Sequence, residues 1–157
     1  MRKIKLIVVG NIKEKYFVDA IAEYKKRISK FFELEIVEVK ESNPFKNPSN
    51  SEIEIIKNNE AKEIIPLLKG YICTLEINGV QFTSPKFSTF IEDITDKYGE
   101  ITFVIGGSYG IHSSVSDLSK THLSFGEMTF PHQLMRVLFL EQLYRCGCIS
   151  NGTHYHK

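Results

Sequence analysis

The sequence predicts one α/β domain with a mostly parallel sheet that is covered by helices on both faces. Strand-like apolar runs, rich in β-branched residues, alternate along the chain with helix-like segments, which is typical of such sheets. The 157 residues are the size of one ordinary domain, so residues 1–157 are interpreted as a single domain. Hydrophobic residues make up 42% and charged residues 25%, which is enough apolar material for a packed core.

The first part of the chain is predicted to form a strand, a helix, a strand and a loop. Ile4–Val9 is an apolar run closed by Gly10 and fits a buried strand. Over residues 17–31, apolar side chains recur every three or four positions, which predicts a helix. Leu34–Val39 fits a second strand. The polar range 42–51 contains two prolines and is the best candidate for a mobile loop.

A second helix, a third strand and a turn are predicted next. Ser51 and Glu54 form a capping-box pattern that opens the helix, and Pro66 distorts or ends it. Tyr71–Ile77 is predicted as the third strand, with Asn78–Gly79 as a tight turn directly after it.

The last part of the chain is predicted to hold two strands and three helices. Ser84 and Pro85 fit the N-cap and the first turn of the first of these helices. The other elements are a fourth strand, a short helix, a fifth strand and a final helix, at Ile101–Ile105, near Ser114–Leu118, at Leu123–Phe125 and from Pro131 to about Arg145.

Three segments are predicted to meet at the carboxyl ends of the strands, where open α/β sheets bind ligands. They are Leu75–Glu76, Gly106–Gly110 and Phe125–Phe130. Glycines let a backbone approach a ligand closely, but this spacing is neither the dinucleotide-binding fingerprint nor the P-loop. On the glycine segment alone, a plain turn is the more common interpretation, and a nucleotide-binding metabolic domain is a weaker hypothesis.

The cysteines and the apolar runs predict a reduced, cytoplasmic protein. Three cysteines are an odd number and do not make a disulfide framework. Cys146 and Cys148 form a lone C-x-C pair, which indicates packing at a helix end and not a metal site. No run approaches the roughly 18 apolar residues of a membrane span. We therefore expect neither a metal nor a membrane partner.

Charge is unevenly distributed although the net charge is only +1. Residues 1–30 hold nine Lys/Arg against three Asp/Glu, whereas residues 31–100 hold seven against thirteen. Basic residues at both ends of the chain would form a surface for a polyanion if the two ends meet in space. On charge alone, a solvated lysine-rich helix is the preferred interpretation.

The final helix carries several polar residues in an otherwise apolar sequence. His132 and Arg136 are four apart and share a face, and the helix dipole disfavours a protonated His132. Glu141 and Arg145 are also four apart, in the order that favours an ion pair. The body of the helix, residues 134–143, is apolar on almost every side, which predicts a central helix or a subunit interface.

The chain ends in His154, Tyr155, His156 and Lys157. These groups can stack on a base, exchange a proton and contact phosphate. The alternative is a frayed terminus whose composition has no role.

Four segments together resemble the RlmH family of SPOUT-class methyltransferases, which act on large-subunit ribosomal RNA. They are FVIGGSYG at 103–110, LSFGEMTFPHQLMR at 123–136, LEQLYR at 140–145 and YHK at 155–157. The segments at 9–16 and 74–77 agree as well, so the resemblance spans nearly the whole chain. MTFPH together with the terminal YHK is its most specific part.

The resemblance implies a fold, a cofactor and an oligomeric state. It implies a deep trefoil knot in the C-terminal part and a homodimer packed through the knot and the final helix. S-adenosyl-L-methionine would lie among three loops. By matched position, the cofactor-binding residues would be Leu75, Gly106, Gly107, Phe125, Gly126, Glu127, Met128, Thr129 and Phe130.

The resemblance also implies the reaction, which is methylation of N3 of a pseudouridine in helix 69 of 23S rRNA in the ribosome. The N3 proton must leave, so a base is required, and His132 and His156 are both candidates. Arg136 and Arg145 would steady phosphate or the developing anion. With Tyr155, these residues are the expected catalytic set.

Three features depart from the family pattern. A basic residue that is usual near Asn151, in the turn before the tail, is absent. Cys146-Gly147-Cys148 lacks the usual aromatic residue at its middle position, and Gly147 costs the helix about 1 kcal/mol relative to Ala. Glu127 stands where a neutral or basic residue is common. The last two departures motivate an alternative hypothesis, a diverged paralogue that binds cofactor or RNA without efficient methyl transfer.

Overall fold

The computed structural model describes residues 1–157 and contains five strands and five α-helices. The strands are β1 (Arg2–Val9), β2 (Phe32–Val39), β3 (Tyr71–Val80), β4 (Glu100–Ile105) and β5 (Thr121–Leu123). The helices are α1 (Lys15–Ile28), α2 (Asn50–Ile64), α3 (Ser84–Tyr98), α4 (Ser113–Ser116) and α5 (His132–Ser150). A turn of 3₁₀ helix, Ile65–Leu67, follows α2 and contains Pro66, so the predicted distortion at this proline is confirmed.

The strands form one sheet in the order β2-β1-β4-β3-β5, and every neighbouring pair is parallel. This confirms the predicted α/β fold with a parallel sheet. The longest ladder joins β1 to β2 without interruption, from the Arg2–Phe32 pair to the Val9–Val39 pair. Because all strands run the same way, their carboxyl ends lie at one edge, which is where the predicted ligand segments come together.

Side chains of β1 alternate between two cores, as the period of a strand requires. Ile4, Leu6 and Val8 point into a large core that is shared with α1, α3 and α5. Ile7 and Val9 point into a smaller core on the other face, against α2 and α4. All five side chains are at most 1% exposed, so β1 is buried on both faces, as its continuous apolar run predicts.

The α2 helix begins two residues earlier than predicted. Its N-cap is Ser49, whose hydroxyl accepts from the backbone N–H of Glu52, while the Glu52 carboxylate accepts from the Ser49 N–H. The sequence repeats the S-x-x-E pattern at 49–52 and 51–54, so the prediction at Ser51 and Glu54 was wrong by one repeat. Glu54 is free for an ion pair with Lys57, at 2.9 Å.

The predicted turn at Asn78–Gly79 is wrong, because β3 continues to Val80 with an irregularity in its pairing. Leu123 of β5 pairs with both Leu75 and Val80, and the residues between them bulge out of the ladder. Long-range pairing with β5 therefore overrides the local turn preference. The trefoil knot that the resemblance implies remains a prediction.

The other element boundaries differ by a few residues. The N-cap of α3 is Thr83, not Ser84, and Pro85 lies in the first turn. β5 ends at Leu123, so Phe125 belongs to the following loop. The structure places α4 at Ser113–Ser116 and extends α5 to Ser150, five residues beyond its predicted end.

Much of the apolar surface of α5 is used inside its own chain. Phe139, Leu140 and Leu143 are completely buried and pack in the large core between α1 and α3. Leu134 and Leu138 are half-buried on the outward side. The predicted central position of the helix is therefore confirmed, and the subunit interface stays a prediction that concerns only this outward side.

Gly147 allows a close contact between α5 and the residue that precedes β2. A Cβ placed on Gly147 would lie 2.5 Å from Cγ and 2.7 Å from Cβ of Phe31. The Phe31 ring therefore occupies the volume that a side chain at 147 would need. This contact offsets the helix propensity that the glycine lacks.

We expect Gly147→Ala to destabilise the protein by about 1–3 kcal/mol, because overpacking outweighs the helix propensity gained. Urea denaturation would measure the change. In a Phe31→Ala background the same substitution should be neutral or stabilising. If Gly147→Ala alone raises the free energy of unfolding above that of the wild-type protein, the overpacking argument is contradicted.

Candidate active site

A cavity of about 980 Å³ lies at the carboxyl ends of β3, β4 and β5. Three segments line it, and they are 75–78 from β3, 105–111 after β4 and a third segment from Leu123 to Met135. The volume is in the range of small-molecule and cofactor sites. The three segments that the sequence predicted to meet do meet here.

The glycine segment folds tightly on itself at one wall of the cavity. A Cβ on Gly106 would lie 2.8 Å from the backbone carbonyl of Gly110 and 2.8 Å from the Ile111 side chain. The Gly110 N–H donates to the Gly107 carbonyl at 3.1 Å, and Gly110 has a φ of +90°. Gly106 and Gly110 are therefore required by the shape of the loop itself.

A buried carboxyl group lies behind Gly107. A Cβ at Gly107 would be 3.1 Å from Glu60 Oε1 and 3.0 Å from Val9. Glu60 is only 4% exposed, and it accepts a hydrogen bond from the Ser42 N–H at 3.1 Å. Burial, with a smaller contribution from the charge of Glu41, raises the pKa of Glu60 to about 7.

The raised pKa of Glu60 makes stability fall as pH rises. The folded state binds the proton more tightly than the unfolded chain, so the stabilisation is complete below the ordinary pKa of about 4.3 and is lost as pH rises through about 7. We expect Glu60→Gln to stabilise the protein by up to roughly 3 kcal/mol at pH 8.5 and to have little effect at pH 4.5. Urea denaturation of the variant and the wild-type protein at both pH values measures this difference in the free energy of unfolding. Glu63→Gln, an exposed position on the same helix, is the control, and equal effects of Glu60→Gln at both pH values would refute the assignment.

The third segment is tied to the end of β3. Ser124 donates its hydroxyl to the Ile77 carbonyl at 2.8 Å, and its N–H donates to the Val80 carbonyl at 2.8 Å. Phe125, Gly126, Met128, Thr129 and Phe130 all line the cavity, whereas Glu127 is exposed and lies outside the lining.

Glu76 is the one charged side chain in the lining, apart from the titratable His132. Its carboxylate accepts hydrogen bonds from Thr74 Oγ1 at 2.6 Å and from Ser116 Oγ at 3.1 Å, and it contacts His122 Nδ1. The sequence predicts Glu76 near a strand end but indicates no role for it, because Ser116 and His122 are some 40 residues away in the chain. The Thr-x-Glu pattern at residues 74–76, near the predicted end of the third strand, was the available signal.

His132 and Arg136 lie one helical turn apart but face different surroundings. His132 lines the cavity, and burial is the main cause that lowers its pKa, so a neutral imidazole is favoured. Arg136 lies outside the lining and is 3% exposed. Its guanidinium donates to the Gly10 carbonyl at 3.0 Å and to Glu38 at 3.1 Å. Arg136 therefore joins α5 to the carboxyl ends of β1 and β2.

Arg145, Tyr155 and His156 form a second cluster at the other end of α5. The Arg145 guanidinium carbon lies 4.7 Å from the centroid of the Tyr155 ring, and Arg145 Nη1 is 3.3 Å from His156 Nδ1. At a rise of 1.5 Å per residue, Arg145 is about 20 Å along the helix from His132. One chain therefore does not bring the cavity and the tail together.

The basic end of α1 lies beside the tail. The Arg27 guanidinium carbon is 5.8 Å from the Tyr144 ring centroid, and the Tyr144 and Tyr155 rings are 4.9 Å apart. Lys25 and Lys26 are exposed next to Arg27. The two basic ends of the chain thus meet in space, which is the condition for a polyanion-binding surface.

No group of three or more His, Cys, Asp or Glu side chains is arranged to hold a metal ion. The three cysteines are buried and unpaired. None of the helices combines the length and apolar character that crossing a membrane requires.

The sequence and the fold match a known family of proteins. A family model described as a predicted SPOUT methyltransferase matches residues 2–156, so the chain is a SPOUT methyltransferase. A solved structure from Haemophilus influenzae, titled a probable methylase family protein, aligns with 99% of this chain and 70% of its own. Its TM-score is 0.52 at 12% identity, which supports the fold alone.

Close relatives narrow the assignment. The chain is 46% identical over 158 residues to the ribosomal RNA large subunit methyltransferase H of Streptococcus uberis, covering 99% of both chains. It is 48% identical over 157 residues to the protein of the same name from Finegoldia magna, covering 98% of this chain and 99% of that one. The chain therefore belongs to the ribosomal RNA large subunit methyltransferase H family.

Proposed function

We propose that this protein transfers a methyl group from S-adenosyl-L-methionine to N3 of a pseudouridine in helix 69 of 23S rRNA, as a cytoplasmic homodimer acting on the ribosome. The observation that carries the proposal is the large cavity that the three segments build at the strand ends. The names of the relatives support ribosomal RNA as the substrate.

The residues of the cavity fit this cofactor. Apolar side chains, among them Leu75, Ile105 and Phe125, suit an adenine ring, and the glycine wall offers backbone groups for polar contacts. Glu76 is a carboxylate without a neighbouring Lys or Arg in the lining, which suits a cationic ligand. The cofactor residues are proposed to be Leu75, Gly106, Gly107 and the lining residues of the following loop, Phe125, Gly126, Met128, Thr129 and Phe130, whereas Glu127 lies outside the lining.

S-adenosyl-L-methionine supplies an activated methyl group, so this chain has to position the acceptor base and accept its N3 proton. His132 lines the cavity and is favoured in the neutral form that accepts a proton. We assign it as the leading candidate for the base. His156, the other candidate for the base, reaches a cavity only if the tail of one copy enters the site of the other.

Arg145 and Tyr155 are proposed to contact the acceptor RNA, together with the basic end of α1. Arg136 donates to Glu38 and Gly10 through its two terminal nitrogens, while its buried Nε has no partner, so its proposed contribution is to fix the helix that carries His132. In this arrangement the homodimer is part of the chemistry, because each site needs the cavity of one copy and the tail of the other.

Mass spectrometry of helix 69 from cells with and without the gene tests the substrate. Purified protein, labelled cofactor and ribosomes that lack the modification test the reaction directly. The expected result is one methyl group on the pseudouridine. Labelling at any other nucleotide, or none with a folded and cofactor-bound protein, would contradict the proposal.

The alternative of a diverged paralogue without efficient methyl transfer depends on the segment around Gly147 and on Glu127. The structure places Gly147 against Phe31, where a glycine is needed, and Glu127 in solvent outside the cavity lining. Neither departure disturbs the cavity, so the active enzyme is the better supported function.

We expect ribosome binding to weaken steeply with salt, because Lys/Arg contacts with phosphate release counterions. Replacing Lys25 and Lys26 by Gln should reduce the slope of log affinity against log salt by about 1.4–1.8, since each phosphate contact contributes about 0.7–0.9. Filter binding over a salt series measures the slope. The matched control replaces Lys62 and Lys69, which are exposed elsewhere, and an equal change in that control would reject the proposed surface.

A further inference from the structure

One carboxylate, that of Glu141, binds two residues of the cluster formed by Arg145, Tyr155 and His156. Glu141 of α5 accepts from Arg145 Nη2 at 2.6 Å and from the Tyr155 hydroxyl at 3.0 Å, both at Oε1. Its other oxygen accepts from Arg145 Nε at 3.4 Å and from Gln142 Nε2 at 3.0 Å. A single side chain therefore contacts two of the three residues of this cluster, Arg145 and Tyr155.

These contacts fix the Arg145 and Tyr155 side chains relative to each other, because both donate to the same oxygen of Glu141. With both groups bound to Glu141, the guanidinium is held against the phenol ring, with its carbon 4.7 Å from the ring centroid. The Arg145–Glu141 ion pair is largely shielded, with side-chain exposures of 24% and 19%, so solvent screens it less than an ordinary surface pair.

Aromatic and charged residues of α1 and α5 surround this cluster. Tyr24 and Arg27 of α1 pack against Tyr144, which in turn packs against Tyr155, and Arg27 is paired with Glu23. Burial, and next the hydrogen bond to Glu141, raise the pKa of Tyr155 to about 12, so the phenol remains a donor. The hydrogen bond to Glu141 is also the main cause that raises the pKa of Arg145.

We propose that Glu141 is a positioning residue, whose carboxylate holds Arg145 and the Tyr155 of the tail in the one arrangement that contacts the acceptor RNA. This inference rests on the proposed function. Glu141 touches neither the cavity nor the tail's last two residues, so it acts through Arg145 and Tyr155 alone. Without it, the last turn of α5 would remain while the tail lost its fixed direction.

The test compares Glu141→Ala and Glu141→Gln with the control Asp19→Asn, which removes an exposed ion pair between Lys15 and Asp19. We expect Glu141→Ala to lower kcat on ribosomes by about 10–100-fold, because orientation is lost, with unchanged affinity for S-adenosyl-L-methionine. Glu141→Gln keeps an acceptor oxygen and should recover most of that loss. Asp19→Asn should behave as wild type.

A double-variant cycle shows whether Glu141 acts through Tyr155. If it does, Tyr155→Phe added to Glu141→Ala should cost less than Tyr155→Phe costs in the wild-type chain. Full additivity would overturn the proposal, as would a wild-type kcat for Glu141→Ala.

A second measurement does not depend on activity. Carboxypeptidase should remove the last three residues faster from Glu141→Ala than from wild type or Asp19→Asn, as followed by mass spectrometry. Equal trimming rates would overturn the positioning role whether or not the protein methylates RNA. If Glu141→Ala is trimmed faster but the wild-type protein does not methylate ribosomes, the contact between Glu141 and the tail is supported and the proposed function is rejected.

Discussion

Deleting Tyr155, His156 and Lys157 is expected to lower methyl transfer to ribosomes by at least about 10²-fold, because the acceptor base loses its orientation. None of the three belongs to the buried core, so folding and cofactor affinity should be retained. Steady-state transfer from labelled cofactor measures the loss, and thermal denaturation together with calorimetry provides the controls. A tail-deleted enzyme with normal turnover would disprove the proposed role of the tail.

Mixing the tail-deleted chain with a Gly106→Val chain extends this test to the dimer. One chain has an intact cavity without a tail, and the other has an intact tail without a working cavity. If the tail of one copy completes the site of the other, the mixed dimer contains one complete site and should recover activity. If each copy is self-contained, mixing restores nothing.

Gly106→Val is expected to weaken S-adenosyl-L-methionine binding by at least about 10²-fold, a loss of about 2.7 kcal/mol. Even a single Cβ would lie 2.8 Å from Gly110 and Ile111, so a valine forces the glycine segment to change shape at the cavity wall. Isothermal calorimetry measures the affinity, and circular dichroism checks the fold.

Gly99→Ala is the matched control for this substitution. Gly99 ends α3 with a φ of +81° and has no atom within 4 Å of a Cβ position. Gly99→Ala should lower the free energy of unfolding by roughly 1 kcal/mol, because alanine disfavours a positive φ, and should leave the cofactor affinity unchanged. Unchanged affinity in a folded Gly106→Val protein would remove the glycine segment from the proposed cofactor site.

The layers of the fold were predictable because they depend on local patterns. The β-branched runs at β1 and β4 and the period of α1 and α3 identify each element without knowledge of its neighbours. The course of β3 through Asn78–Gly79 was not predictable, since it depends on pairing with Leu123, far along the chain. The start of α2 was ambiguous because two overlapping capping patterns differ only in which serine the folded chain uses.

The position of the cavity was predictable, but several side-chain environments were not. A parallel sheet brings its carboxyl strand ends to one edge, so the glycine segment and the Phe125–Phe130 loop had to be close. Nothing in the local sequence shows that Arg136 is buried against Gly10, or that Glu76 is bound by Ser116 and His122. Such contacts join residues that only tertiary structure brings together.

The packing of Phe31 on Gly147 means that substitutions at these two positions, more than a hundred residues apart, constrain each other in evolution. A descendant of this chain that acquires an aromatic residue at 147 would first have to replace Phe31 by a smaller residue, because the opposite order passes through an overpacked, less stable intermediate. The two positions should therefore vary together among relatives, with bulk at one accompanied by a small residue at the other. The glycine in the Cys-Gly-Cys segment of α5 would then be explained by the large Phe31 side chain directly before β2.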